Sequence, residues 1–286
     1  MHRQFKFIWP LLVTVASFAQ NTTLVTESGT IVVFSLSKNE IAIAADSRQK
    51  RDSGKYHDHA CKIIALSDKF VFTSSGMAGL WGENVSAGSG RITLMDANEE
   101  AEIAFDSLHP GSDDLLPKVA LLWARHVSRI FEQAIKAHGL KQVLGDIPQG
   151  SLLVGYFLGA SPKSGLVSYM ENINLLGSGV SFDPAPKALS LTDSIIYGST
   201  GITDTVAELL QGKAAWVRQE DIQWERQLAD VPKNDREVLK VVRWVALTLA
   251  HHPGSNEVGG PIDSLTIAPV SGVRWHNRKD ECHAKD

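Results

Sequence analysis

The chain has 286 residues, 43% of them hydrophobic and 21% charged, with a formal net charge of −4. That is enough for one large domain with a sizeable core, and the lack of a basic block or an aromatic–basic stretch argues against a nucleic-acid partner. Two cysteines, Cys61 and Cys282, make neither a disulfide framework nor a zinc-type spacing; they can pair in an oxidising compartment, although Cys61 at the head of an apolar run reads better as a buried free thiol.

In chain order, the first nineteen residues read as a secretory signal. Arg3 and Lys6 open it, Phe7 to Ala16 is a short apolar run, and Ser17-Phe18-Ala19 is a small-x-small cleavage site. The run is too short for a permanent membrane helix, and no other stretch approaches eighteen apolar residues. Export is therefore expected, to the periplasm or the outside, with a mature chain starting near Gln20. Two sequons, at Asn21 and Asn84, matter only in a glycosylating host.

Residues 20–29 are polar and lead into a β-run from Thr30 to Leu36, a turn at Lys38-Asn39-Glu40 and a second run from Ile41 to Ala45, which together predict a hairpin. Lys62 to Leu66 and Lys69 to Ser74 predict another. Gly79 to Thr93 is rich in glycine and serine and reads as a loop. Ala97 to Leu108 reads as a helix with Glu99, Glu100 and Glu102 near its positive end. Val119, Trp123, Val127, Ile130 and Ala134 place one apolar face on a helix from Leu116 to His138, stopped by Gly139. Ser151 to Leu158 and Gly165 to Tyr169 predict a further hairpin, and Ser194 to Tyr197 a strand. Helices follow over Thr203 to Leu210 and Asp235 to His251, the latter capped by Asn234, and Ile262 to Ala268 closes as a strand. Strands, helices, strands, helices, strand suits an α+β fold with two antiparallel sheets between helical layers, an αββα arrangement.

The chemistry lies in the first third. A threonine becomes a nucleophile when it is the first residue, because its own α-amino group then serves as the base. Such a site also needs a lysine for the local electrostatics, a carboxylate to hold that lysine, and a backbone N–H for the oxyanion. Thr30, Lys62, Asp46 and Gly79 supply one of each, with sixteen residues from Thr30 to Asp46 and sixteen more to Lys62. Taken singly, each has a plainer reading. Thr30 is an ordinary β-branched strand residue, Asp46-Ser47-Arg48 a strand-end turn, Lys62 a snorkelling side chain, Gly76 and Gly79 turn glycines, and Ser199 a helix N-cap.

The stretch from Gly29-Thr30-Ile31-Val32-Val33 to Ile41-Ala42-Ile43-Ala44-Ala45-Asp46-Ser47-Arg48 resembles the opening of proteasome β-subunits and their bacterial relatives, which are N-terminal-nucleophile (Ntn) hydrolases. The spacing to Lys62 agrees with that family's register. Gly76-Met77-Ala78-Gly79 resembles its oxyanion turn, Tyr197-Gly198-Ser199 the corner that carries an assisting serine, and Gly259-Gly260-Pro261-Ile262-Asp263 the glycine pair before the last core strand. The resemblance is strong over 29–79 and thin over 80–190. It implies a four-layer αββα sandwich over residues 30–286, a propeptide over 20–29 removed by self-cleavage between Gly29 and Thr30, and hydrolysis of peptide or amide bonds. Thr30, Asp46, Lys62, Gly79 and Ser199 would carry the site, with no cofactor or metal, and the family's homo-oligomeric ring is a possible assembly. Substrate-lining positions would fall near Arg48 to Asp52 and Gly79 to Ser89.

Two departures stand out. Ile31 occupies the place of a second threonine, and Ser255-Asn256-Glu257-Val258 stands where the family carries Asp-x-x-Ser, with Glu257 as a substitute. Ser28 is the reserve nucleophile. Two rival functions follow: a non-catalytic proteasome-like scaffold or binding protein, in which Gly29 stays joined to Thr30, and an Ntn amidohydrolase acting on a small amide. Of the other polar clusters, His57-Asp58-His59 could ligate a metal but reads as a solvated turn without a third ligand. His251-His252 complements a helix end, and Asp113-Asp114 reads as a helix-entry loop.

Overall fold

A computed structural model describes residues 22–28, 30–51, 56–84, 92–108, 115–144, 149–177, 179–201, 204–211, 214, 223–224, 226–251 and 258–282. The expected signal, Gln20, Asn21, Gly29, Asp113-Asp114, His252 and Ser255 to Glu257 lie outside those residues. Among the described residues the first elements are nine strands: β1 (Thr22–Ser28), β2 (Ile31–Leu36), β3 (Ile41–Ala45), β4 (Gln49–Arg51), β5 (Tyr56–His57), β6 (Ile63–Ala65), β7 (Phe70–Gly76), β8 (Gly79–Asn84) and β9 (Ile92–Asp96). Helices α1 (Ala97–Asp106), α2 (Leu115–His138) and α3 (Leu140–Leu144) follow, then β10 (Gly150–Ser161), β11 (Gly165–Leu176), β12 (Gly179–Phe182), β13 (Lys187–Ala188) and β14 (Ile196–Gly201). After α4 (Asp204–Leu210) and α5 (Lys233–His251), β15 (Asp263–Ala268) and β16 (Gly272–Asn277) close the chain. The fold is α+β with antiparallel sheets. No helix among the described residues is long and apolar enough to cross a membrane.

Side-chain parity explains how these elements stack. In β2 all six residues are buried, because each face of the strand meets a different core. Val32, Phe34 and Leu36 join Ile43, Leu265 and Ile267 against Val71, Tyr156 and Leu158 of a second sheet. Ile31 and Val33 join Ala42 and Ala44 against Val238, Val241 and Val245 of α5. A strand buried on both faces cannot show the in–out alternation of a half-exposed one, hence the nearly continuous apolar runs of β2 and β3. The first sheet runs β14-β2-β3-β15-β16, and the second runs β12-β11-β10-β7-β6.

A third core lies between the second sheet and the helices α1 and α2. Trp123 sits at its centre, its ring centroid 5.4 Å from Phe72 and 5.6 Å from Phe157, and its indole N–H donates to Ala97 O at 3.0 Å. Gly155 makes this possible, since a Cβ there would lie 2.7 Å from the indole. The apolar spacing that predicts α2 is thus the spacing that places Val119, Trp123 and Val127 in this core.

Three features differ from the sequence expectation. Residues 22–28 are not a polar lead-in but a strand, β1, at the centre of a third sheet ordered β5-β4-β1-β8-β9. The glycine- and serine-rich stretch read as a loop, Gly79 to Thr93, holds β8 and the first two residues of β9 of that sheet. Thr-Thr-Leu-Val-Thr-Glu-Ser has good β-propensity, but its polarity conceals it when the partner strands are unknown. Second, Cys61 is not a free thiol: it forms a disulfide with Cys282 across 221 residues of sequence. Third, α5 starts at Lys233, so Asn234 lies within its first turn rather than at the cap.

Candidate functional site

The end of β3 and the start of β2 lie side by side, which brings Asp46 next to Thr30. Asp46 is fully buried, and its carboxylate sits in a cradle of backbone donors. Ile31 N–H donates to Oδ1 at 2.9 Å, while Gly259 N–H at 3.0 Å and Arg48 N–H at 3.3 Å donate to Oδ2. Burial raises the Asp46 carboxyl above its usual range, and the Lys62 ammonium and these three N–H groups oppose that rise. Three donors and a cation are the surroundings of an acceptor-only carboxylate.

Thr30 precedes β2 on the same parity as Val32, so its side chain enters the space between the two packed sheets; only 3% of it is exposed. Lys62, 5% exposed, leads into β6 of the opposite sheet, and its ammonium donates a short hydrogen bond to Thr30 Oγ1. Thr73 Oγ1 on β7 donates to Lys62 O at 2.7 Å and fixes the lysine's backbone. Thr30, Asp46 and Lys62, sixteen residues apart in sequence, therefore meet in one place.

Gly79 opens β8 and pairs with Glu27 of β1 and with Asp96 of β9. Its partner Glu27 lies two residues before Gly29, so the candidate oxyanion donor sits beside the chain that leads into Thr30. The preceding Gly76 has φ +103°, and a Cβ there would lie 2.3 Å from Leu152 O, a position only glycine fits.

Ser199 is not brought to the other residues. It pairs with Val33, whose side chain faces α5, whereas its neighbour Thr200 pairs with Val32 on the inter-sheet face. Thr200 Oγ1 shares a short hydrogen bond with Ser75 Oγ of β7, and the buried Tyr156 phenol, its pKa raised by burial, is also hydrogen-bonded to Thr200. These hydroxyls escape a sequence reading because a one-residue change of parity exchanges the faces of a strand.

The glycine pair has a physical task here. Ser47 N–H and Arg48 N–H both donate to Gly259 O, at 3.1 and 3.0 Å, and Ser47 Oγ donates to Pro261 O at 2.8 Å. Arg48 clasps Asp58 with Nε at 2.6 Å and Nη2 at 2.7 Å, a bidentate pair that commits the carboxylate of the His57-Asp58-His59 cluster. The guanidinium lies over Gly259, where a Cβ would approach Cζ to 2.5 Å. The loop carrying Asp46 is thereby bound to the loop before β15.

Of the expected substrate-lining ranges, Arg48 to Arg51 and Gly79 to Asn84 are described, and they contain β4 and β8. These two strands flank β1, which makes six antiparallel pairs with β8 and two with β4. Compared with known proteins, the chain matches no protein-family model and no curated protein sequence.

Proposed function

We propose that the chain is a threonine-type N-terminal-nucleophile hydrolase with a four-layer αββα sandwich, acting on extended peptides once the bond between Gly29 and Thr30 is cut. The observation that carries this reading is the Lys62 ammonium on Thr30 Oγ1 with the Asp46 carboxylate buried beside it. While Gly29 and Thr30 are joined, the Thr30 nitrogen is an amide and no base. Self-cleavage would begin with attack of Thr30 Oγ on the Gly29 carbonyl: the C–N bond breaks, the nitrogen takes the hydroxyl proton, and the resulting ester is hydrolysed by water. The freed α-amine, with an ordinary pKa near 8, then takes the Oγ proton in each turnover. Lys62 stays cationic and favours the alkoxide, Asp46 offsets its charge, and the Gly79 N–H receives the oxyanion, a donor typically worth roughly 3 kcal/mol of barrier.

The placement of β1 favours a peptide substrate. An extended chain already lies antiparallel between β4 and β8, and after its departure those strands offer the same backbone hydrogen bonds to another extended chain. The disulfide suits an oxidising compartment and supports export.

A second reading, a non-catalytic scaffold or binding protein, has one observation in its favour. β1 is a central strand paired on both sides, and so completes a sheet in the uncut chain. Turnover separates the two. Hydrolysis of a fluorogenic-peptide panel that disappears in Thr30→Ala, with the variant still folded and its stability within about 1 kcal/mol, is the expected outcome. Retained hydrolysis in Thr30→Ala refutes the nucleophile, and turnover of acylated amides without peptides selects a small-amide hydrolase.

A further inference from the structure

Lys62 stands outside regular structure, just before β6, so its position depends on what holds residues 60–62: Ala60 N–H donates to Ser47 O at 3.0 Å, Asn98 Nδ2 to Cys61 O at 2.6 Å and Thr73 Oγ1 to Lys62 O at 2.7 Å. The C-terminal turn holds them twice. Cys61 is bonded to Cys282, and the Lys279 ammonium donates to Ala60 O at 2.8 Å. The same ammonium pairs with Asp263 Oδ2 at 2.5 Å, the Lys279 N–H donates to Asp263 Oδ1 at 3.0 Å, and Asp263 Oδ2 lies 3.9 Å from Cys282 Sγ. Asp263 is fully buried and Lys279 is 9% exposed. Asp263 is also the β15 residue paired with Ala45, the neighbour of Asp46. One buried ion pair and one disulfide thus connect the backbone of the candidate lysine to the strand end that presents its counter-ion. Nothing in the reaction scheme itself uses Lys279, Asp263 or either cysteine.

We propose that the turn Lys279–Cys282 is a positioning brace for Lys62, and that a dithiol reductant releases it. In the release step the dithiol gives two electrons and two protons to the Cys61–Cys282 bond. The S–S bond breaks, two thiols form, and the reductant becomes a disulfide. Cys61 is the partly exposed end and Cys282 the buried one, so attack comes at Cys61. With the bond open, the brace is reduced to the contact between Ala60 O and the Lys279 ammonium, held through Asp263. The backbone of residues 60–62 then keeps its bonds to Ser47, Asn98 and Thr73 but loses its covalent anchor, and the Lys62 ammonium is held less firmly on Thr30 Oγ1. Lys279 and Asp263 act through Lys62, not on the substrate.

The activity readout rests on the threonine-hydrolase reading, so the test carries a second one that does not. The full-length oxidised chain, the same chain under dithiothreitol and the Asp263→Asn/Lys279→Met double variant with its disulfide intact are acylated briefly with an amine reagent. Labelling at Lys62 is measured by mass spectrometry against labelling at the exposed Lys38, alongside the rate at which the Thr30 N-terminus appears. A cooperative thermal transition confirms that each sample is folded. Reduction is expected to raise Lys62 labelling about fivefold at constant Lys38 labelling and to slow Thr30 exposure about tenfold, with reoxidation restoring both. Folded, reduced protein with unchanged Lys62 labelling overturns the brace. If reduction unfolds the chain, the double variant decides: raised labelling at Lys62 supports the brace and unchanged labelling overturns it. A wild-type chain that never exposes Thr30 counts against the hydrolase reading, while the labelling result still judges the brace.

Discussion

A lysine ammonium between two sheets needs a counter-charge and an acceptor, or it does not stay buried and ionised. Lys62 has both in Asp46 and Thr30 Oγ1, and these three residues were legible because their spacing is regular and each sits at a strand end. Ser199 was not, because its face is decided by pairing with Val33, a relation absent from local sequence. Gly201 is a further residue whose importance appears only in space. It has φ +89°, it pairs with Ile31, and a Cβ there would fall 1.8 Å from Thr30 O. Gly201→Ala should therefore cost more than about 2 kcal/mol and shift the Thr30 carbonyl. Chemical denaturation reports the first effect and loss of the proposed Thr30-dependent hydrolysis the second. Wild-type stability and activity in the Gly201→Ala variant would show that the Thr30 backbone is not held as described.

Elements with one strong local signal were legible: α2 from its apolar face, β2 and β3 from their apolar runs. Sheet β5-β4-β1-β8-β9 was not, since its strands are short, polar or glycine-rich and owe their existence to one another. Strand β11 carries a second surprise. Glu171 is fully buried, its Oε1 accepts from Asp183 N–H at 3.1 Å, and no hydrogen-bond partner for Oε2 is found among the described residues. Burial, with the Asp183 charge, pushes its carboxyl up to about 7, against the opposing N–H groups of Asp183 and Asn172. Between the ordinary carboxylate range and about 7 the native chain then binds the proton more tightly than the unfolded one. This group's contribution is fully present below that ordinary range and is lost as pH rises through about 7. Glu171→Gln should flatten the dependence and stabilise the protein at pH about 8 by roughly 1–2 kcal/mol. Urea unfolding of both proteins across this pH range checks it, and parallel curves would contradict it.

At the scale of the whole molecule, the disulfide closes nearly the entire domain into one loop. On the chain-entropy account a loop of that size restricts the unfolded state by up to roughly 5 kcal/mol. Reduction should lower the urea midpoint clearly, and an unchanged midpoint would mean that the bond contributes little to stability. Two cysteines so far apart gave no spacing signal, which is why pairing and free thiol could not be separated from sequence. The proposed chemistry, however, turns on one peptide bond. While Gly29 and Thr30 are joined, Thr30 has a lysine and an aspartate but no amine base, and β1 fills the groove between β4 and β8. The most direct test is the intact mass of the mature, natively expressed protein. A threonine-type hydrolase is expected as a chain that begins at Thr30. A chain that begins at Gln20 or Met1 and stays so would contradict that reading, leaving Thr30 without its base and β1 as a permanent strand of a non-catalytic protein.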